Sequence, residues 1–542
     1  MNSDTTYLID RNGTVQHTWE SGYLPGEAVW WLGDGIILRT IKVGGSGISG
    51  SGGGVQIVQA DGTVTWDYRC NTNGNLSHHD VKTLPNGDVL LIVWEAKTRD
   101  EAIAAGRDPD NIMGSTFLPD KVIEVQPTGP TSGTVVWEWH VWDHLIQDYN
   151  SSKANYGVVK DHPELIDINY ASTSGYDWLH CNSIDYNESF DQIMISAHNF
   201  NEIWVIDHST TTEQAAGHTG GRSGHGGDLL YRWGNPRAYR RGNASDEQLF
   251  GQHDATWIKS GLPGAGHILV FNNGEFSIQG RHYSSVDELI PPVNAQGIYY
   301  LGSNASYGPS GPVWSYTANP PTNFFADTIS GACRLKDGDT LICNGIKGEF
   351  FEVTPDGTIV WDYTNPYPTP MLNNVFKIVF IPPEEPPTPH VPDLYASGDF
   401  SQTDITPGAT VNGSFQVENI GDTRSLLNWT VNTSLLSWGT WTFTPPQGEN
   451  LTPEDGRVFV NVSVVVPNEK NKNFQGYIRV ENVQNPNDFS VIPVTLKTPA
   501  TNNLPHAGLF YQWFEHFVQC HPLFEKVWDF LWSHDTVHLF NI

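Results

Sequence analysis

Six copies of one hairpin pattern, an abundance of aromatic and turn residues, and a proline-rich break after residue 381 predict an all-β protein. The expected architecture is a six-bladed β-propeller followed by an immunoglobulin-like β-sandwich and a short helical C-terminal tail. The boundaries read as 1–382 for the propeller, 383–393 for a linker, 394–500 for the sandwich and 501–542 for the tail.

The composition supports this class. A chain of 542 residues is too long for one core. Aromatics make up 12%, and 53 Gly and 35 Pro punctuate short strands. The net charge of −31 argues against a nucleic-acid surface, which needs clustered Lys and Arg. None of the five cysteines forms a CxxC pair, which excludes zinc ribbons and thioredoxin chemistry. Cys333 and Cys343 flank the hairpin RLKDGDTLI and could pair across it if their register allows. N-x-S/T sequons begin at Asn12, Asn75, Asn150, Asn187, Asn243, Asn304, Asn412, Asn428, Asn432, Asn450 and Asn461. That density suits an exported glycoprotein, secreted or held at the cell surface. The start, MNSDTTYLID, reads as strand and not as a signal peptide, so a leader is expected to have been removed. No apolar run approaches ~20 residues, the length a membrane helix needs.

The repeated hairpin has an apolar strand, a Gly-containing turn and a strand with Trp or Tyr. Its copies are YLIDRNGTVQHTW (Tyr7 to Trp19), VQIVQADGTVTWDY (Val55 to Tyr68), VIEVQPTGPTSGTVVWEW (Val122 to Trp139), a split copy from Ile203 to Trp233, IYYLGSNASYGPSGPVWSY (Ile298 to Tyr316) and FFEVTPDGTIVWDY (ending at Tyr363). Between them lies a second kind, such as HDVKTLPNGDVLLIV and SGACRLKDGDTLICNG. Pairing each of these with the hairpin that follows gives five four-stranded blades. The sixth joins the unpaired first hairpin to VFKIVFI (Val375 to Ile381), which closes the ring and removes open sheet edges. A linear solenoid would need capping repeats, and none is visible.

The first strand of each blade lines the axis. At its beginning the blades read LPGEA, SHHD, WLHCN, GQHD and ISGA, with LNN in the closing blade. His79, His180 and His253 thus share one register in three consecutive blades, with His78 beside the first. One such histidine would be an ordinary hydrogen-bonded inner residue; three in register imply a site. Three imidazoles can hold zinc, or handle an anion near their ordinary pKa of ~6.5.

DWLHCNSIDYNESFDQIMISAHNFNEIWVID (Asp177 to Asp207) resembles the core segment of the arylsulfate sulfotransferases, and SHHDVKTLPNGDVLL and LFGQHDATWI…GHILVFNNG resemble its flanking blades. The resemblance spans roughly residues 5 to 382. It implies transfer of a sulfuryl group from an aryl sulfate to a phenol through a sulfated histidine, without a nucleotide donor or any cofactor. By position, His253 is the nucleophile and His79 and His180 are its supports. The family's sulfuryl-clamping arginine falls on His198, a departure, because guanidinium holds its charge at any working pH and imidazole does not. Arg39 and Arg281 are candidate substitutes, and His78 and Asn182 are further candidate substrate contacts. The extra β domain also follows the propeller here, whereas bacterial family members carry theirs ahead of it. Two readings compete: a metal-dependent hydrolase or lyase on the same histidines, and a non-enzymatic surface protein for adhesion or assembly. Aligned histidines tell against the second.

The insertion from His208 to Gly251 carries His218, Arg222, His225, Arg232, Arg237, Arg240 and Arg241. It either guides an anionic substrate or is a solvated loop. GGSGISGSGGG (Gly44 to Gly54) lacks the Lys-Ser/Thr of a P-loop and reads as a mobile loop. CHPLF at Cys520 lacks the arginine of a sulfatase nucleophile motif. In the tail, Leu509, Phe510, Trp513, Phe514, Phe517 and Val518 follow helical spacing, either docked on their own domain or free for a membrane surface or protein partner.

Overall fold

The computed structural model describes residues 1–44, 47–171, 176–274, 281–382, 391–422 and 425–500. The aromatic tail and linker residues 383–390 lie outside the described residues. The chain divides into two units, Met1–Ile381 and Pro382–Ile542. No helix among the described residues is long and apolar enough to cross a membrane.

The first unit is propeller-like. Five antiparallel four-stranded sheets follow one another, each taken in chain order from the inside out. Their innermost strands are Pro25–Gly33, Asn75–Thr83, Cys181–Asn187, His253–Trp257 and Gly331–Arg334. Side chains stitch these strands laterally. Asp80 accepts from the Ile184 N–H, Ser183 from Ala255, and Asp254 from Ala332.

At the rim, the tryptophans of the repeated hairpin make a second ring of links. The indole N–H of Trp66 donates to the Ser132 carbonyl, Trp137 to the Thr210 hydroxyl, Trp314 to the Pro355 carbonyl, Trp361 to Arg11, and Trp19 to Gly35. Each bond reaches from one sheet into the next, and the last two pass through the N-terminal hairpin and return to the first sheet. The repeated Trp therefore has a structural reason: a large apolar body with a polar handle that fastens neighbouring sheets.

Closure differs from the expected ladder. The N-terminal hairpin, Thr5–Ile9 with Val15–Glu20, is a two-stranded sheet, and residues 375–381 form no strand with it. Their backbone is spent on the fifth sheet: the Val375 N–H donates to Gly345, and Phe376 accepts from Ser330. Phe376 and Lys377 are buried, Lys377 between Asp80 and Asp254. The segment occupies the axis but is held by side chains instead of a ladder.

Cys333 and Cys343 are free, which corrects the possible disulfide. Cys343 pairs with Gly331 and Cys333 with Leu341, so the two cysteines sit diagonally and do not face each other.

In the second unit, two sheets enclose a core that includes Phe415, Trp429, Val462, Ile478 and Val494. One contains Leu394–Ser397, Thr410–Asn419, Val458–Val465 and Thr440–Thr444. The other contains Phe400–Gln402, Phe489–Lys497, Asn473–Asn482, Leu427–Asn432 and Gln447–Leu451. Among the described residues this unit has nine strands, some as short as Phe400–Gln402, which hydrophobic periodicity does not mark.

Candidate active site

Four of the five inner strands break register where they meet the axis, all but Gly331–Arg334. Irregularities lie between Pro25 and Val29, Ser77 and Val81, Cys181 and Ser183, and His253 and Thr256. Glu27, His79, His180 and Asp254 have positive φ, from 50° at Asp254 to 124° at Glu27. A bulge re-aims the side chain beside it, and left-handed backbone on non-glycine residues is strain characteristic of functional sites.

The result is a continuous arc of five imidazoles. Ring centroids are 5.1 Å apart from His78 to His79, 4.5 Å to His180, 5.2 Å to His198 and 5.4 Å to His253. Phe376 lies 6.0 Å from His79 and 6.3 Å from His253, ring to ring.

His253 stands at one end. Its Nδ1 is 3.1 Å from the Gly251 carbonyl and 2.9 Å from the Asn273 side-chain oxygen. The Asn273 amide nitrogen donates to Ala326 and Ile329, which fixes its oxygen toward the ring. Both neighbours are acceptors, so Nδ1 carries the hydrogen and Nε2 the lone pair. Burial, with the positive charge of nearby His198 second, holds its pKa well below the ordinary value, so the ring is neutral at pH 7. Nε2 accepts from the Ile329 N–H at 3.3 Å. Ile329 itself has φ +49°, a genuine outlier for a β-branched residue, and that strain aims its N–H at His253.

His180 is the opposite case. Its Nδ1 is 2.5 Å from Asp177 Oδ2. Burial lowers its pKa, but the hydrogen bond to Asp177 and the charge of Asp177, the leading opposing causes, carry the net shift upward. The arc therefore pairs a neutral ring with one held toward its protonated form, the separation that divides nucleophile from acid.

His78 does not reach outward as a substrate contact. It is 2% exposed and stacked 3.8 Å over Trp94. Its Nε2 is 2.6 Å from Asp120 and its Nδ1 2.8 Å from His79 Nδ1. Burial pushes His78 down to about 3, His79 well below the ordinary value and Asp120 well above it. With all three neutral, Asp120 donates to His78, His78 donates to His79, and His79 keeps its hydrogen on Nε2. The Gly-rich stretch Gly44–Gly54 has a part here. The Gly50 carbonyl accepts from the His79 N–H, and a Cβ at Gly50, whose φ is +76°, would stand 2.0 Å from the His79 ring. Its close approach needs glycine.

The other predicted contacts stand elsewhere. Asn182 is fully buried and donates to the Gln252 carbonyl, behind His253. Arg39 is 1% exposed, with its two terminal nitrogens on Asp4, Thr6 and Tyr23, so it ties the N-terminal hairpin to the first sheet and is not a clamp. Arg281 binds Ser285 and lies over Phe250, three residues before His253. His198 sits between His180 and His253 with Nδ1 2.9 Å from the Asn199 side-chain oxygen. The insertion's arginines are neutralised: Arg232 by buried Glu202, Arg237 by Glu247, Arg240 by Asp148 and Asp167, and Arg222 by Asp191, while Arg241 serves two carbonyls. They hold the insertion in place and leave little field for steering an anion.

Glu27 was missed by single-residue reading. It occupies the histidines' register in the first blade, and its Oε2 is buried with no hydrogen-bond partner. Burial, only partly offset by nearby positive charge, raises its pKa to about 7. The LPGEA segment in register with SHHD and WLHCN was the available signal. Among the described residues, the axial histidines do not bring three ring nitrogens within 4.8 Å of one another.

The propeller-like ring thus presents on its axis an arc of imidazoles in which His253 is held neutral and His180 is raised toward its protonated form. Residues 1–361 match the family model Arylsulfotransferase (ASST), and the chain belongs to that family. No curated protein matches. Among solved structures, the chain is similar to a protein of unknown function from Bacteroides caccae, at 14% identity over 69% of this chain and 94% of that one, with a TM-score of 0.38. It is also similar to virginiamycin B lyase from Staphylococcus aureus with quinupristin, at 10% identity over 85% and 99%, with a TM-score of 0.32. Neither likeness speaks to substrate or mechanism.

Proposed function

We propose that this arylsulfotransferase moves a sulfuryl group from a phenolic sulfate to a phenol through a sulfohistidine on His253, with no nucleotide donor. The observation that carries the reading is the buried, neutral His253 ring, whose hydrogen is held on Nδ1 and whose Nε2 keeps its lone pair, engaged only by the long bond from the Ile329 N–H that attack would release.

In the first half-reaction, Nε2 attacks sulfur, the S–O(aryl) bond breaks and the phenolate takes a proton from His180. In the second, the acceptor phenol gives its proton to His180 and attacks sulfur, and the N–S bond breaks back to Nε2. The Ile329 N–H, released from Nε2 on attack, and the Nε2–H of His79 supply donors to the sulfuryl oxygens. His198, within the arc, takes the clamp position.

Mass spectrometry of protein quenched after mixing with p-nitrophenyl sulfate tests this. The expected result is a sulfuryl adduct on His253, discharged by phenol with accelerated nitrophenolate release. Release without an adduct, unchanged by phenol, would overturn the histidine intermediate.

Asp177→Asn should move the alkaline limb of the kcat profile to lower pH. Asp177 holds the His180 pKa up against burial; without it burial prevails, and the acid is lost as pH rises through a lower value. At pH 8 the expected loss is about 10²-fold. The stability linkage has the same sign: the raised His180 pKa stabilises below the unfolded value of ~6.5, an effect lost as pH climbs through the folded pKa. An unshifted profile would remove His180 as the acid.

We further propose that the protein is exported and glycosylated. All eleven sequon asparagines are half-buried or exposed, none buried, as a glycan requires.

A further inference from the structure

The insertion holds a second histidine cluster, away from the arc. His144 follows the outer strand of the second sheet, and His218 and Asp228 lie on the insertion. One ligand atom from each lies within 4.8 Å of the others. His144 is fully buried and stacked on Trp139, with ring centroids 5.7 Å apart. Its Nε2 is 2.8 Å from the Ala215 carbonyl, which can only accept, so Nε2 carries the hydrogen. In the neutral ring Nδ1 is then a bare lone pair, and it faces Asp228 Oδ1 at 2.9 Å, a carboxylate that also only accepts. His218 brings Nδ1 to the same oxygen at 2.7 Å.

Something positive belongs among three such atoms. We propose that His144 Nδ1, His218 Nδ1 and Asp228 Oδ1 bind a divalent first-row transition metal, zinc above all, which pins the insertion to the second sheet. Two imidazoles and a carboxylate are a borderline-hard donor set suited to zinc, with water completing four-coordination. The Ala215 carbonyl orients His144 from behind, as carbonyls do for metal-bound histidines. Ligand atoms ~2.1 Å from a tetrahedral ion stand about 3.4 Å apart, so the contacts must open by roughly half an ångström. His218 can give that, because its side chain is 60% exposed. Gly227 makes the fit possible: a Cβ there would lie 2.0 Å from the Ala215 carbonyl and 2.6 Å from His144 Nε2.

The test uses the full chain, stripped with chelator and titrated with Zn(II) by calorimetry, then loaded with Co(II) for its visible spectrum. One tight equivalent is expected, with affinity falling at least tenfold in His218→Ala and the four-coordinate cobalt bands lost. Because His218 is exposed, that variant should fold. Asp228→Asn gives an independent readout of the same bands. Binding equally tight in both variants, or no tight equivalent in the parent, would overturn the site.

Discussion

Replacing His253 with alanine should lower p-nitrophenyl sulfate turnover by about 10⁴-fold or more and abolish the sulfuryl adduct, with the circular dichroism spectrum unchanged. The size follows from what the residue does. Losing a nucleophile removes a reaction path, whereas losing a donor weakens one, and nucleophile deletions run to 10⁴–10⁶ in kcat, roughly. The His79→Ala variant should lose only about 10²–10³, the scale of one oxyanion-type donor. Asn273→Ala is the discriminating companion. It leaves the nucleophile in place but frees Nδ1 from its side-chain acceptor, so kcat should fall while the adduct still forms. A His253→Ala enzyme within tenfold of the parent would sink the assignment. Activity lost equally in all three variants, with partial unfolding, would point to a structural role.

The sequence displayed the ring's repeat and the histidine register because both are written locally. Glycine turns and Trp-bearing strands recur as hairpins of two alternating kinds, and the five four-stranded sheets form in the order those hairpins follow along the chain. Of the three imidazoles read as one register, His79 and His180 stand ring to ring, and His253 joins them through His198. What stayed illegible is what depends on partners far along the chain. Arg39 looked like a spare cation, yet its guanidinium closes on carbonyls of the N-terminal hairpin. The insertion's arginines looked like a basic funnel because the acids that neutralise several of them, Glu202, Asp148 and Asp167 among them, lie in other segments. Gly50 read as loop filler because nothing local shows the His79 ring against it. Glu27 is the converse case: its LPGEA segment shares the register, but a lone carboxylate among histidines carries no local sign of its burial on the axis.

The axis also makes a stability prediction that a sequence reading could not. Lys377 is 4% exposed, with Nζ 2.7 Å from Asp80 and 3.1 Å from Asp254, and it lies 4.3 Å over Trp30. Each carboxylate also accepts a backbone N–H from the neighbouring inner strand, Ile184 for Asp80 and Ala332 for Asp254. The ammonium is thus the shared counter-charge of carboxylates on two inner strands, which bond onward to two more, where no ladder closes the ring. Lys377→Met keeps much of the volume and removes the charge, leaving two buried carboxylates without it. Breaking a buried ion pair from one side costs about 3–5 kcal/mol, and the Tm of the first unit should fall by roughly 5–10 °C. The pH dependence identifies the cause. Burial lowers the Lys377 pKa, but Asp254 and Asp80 more than reverse this, so the net shift is upward. The parent's lysine term is therefore present at neutral pH and fades only as pH rises through the folded lysine pKa. In the variant Asp254, whose pKa burial already raises in the parent, loses Lys377, the largest influence opposing burial, so its protonated form is favoured further and stability should fall more steeply than the parent's as pH climbs from 5 to 7. Adding Asp80→Asn and Asp254→Asn to Lys377→Met should recover most of the loss and flatten that slope. A calorimetric series in which Lys377→Met melts with the parent at every pH would mean that Phe376 and the backbone bonds to the fifth sheet, not the buried charges, hold the axis closed.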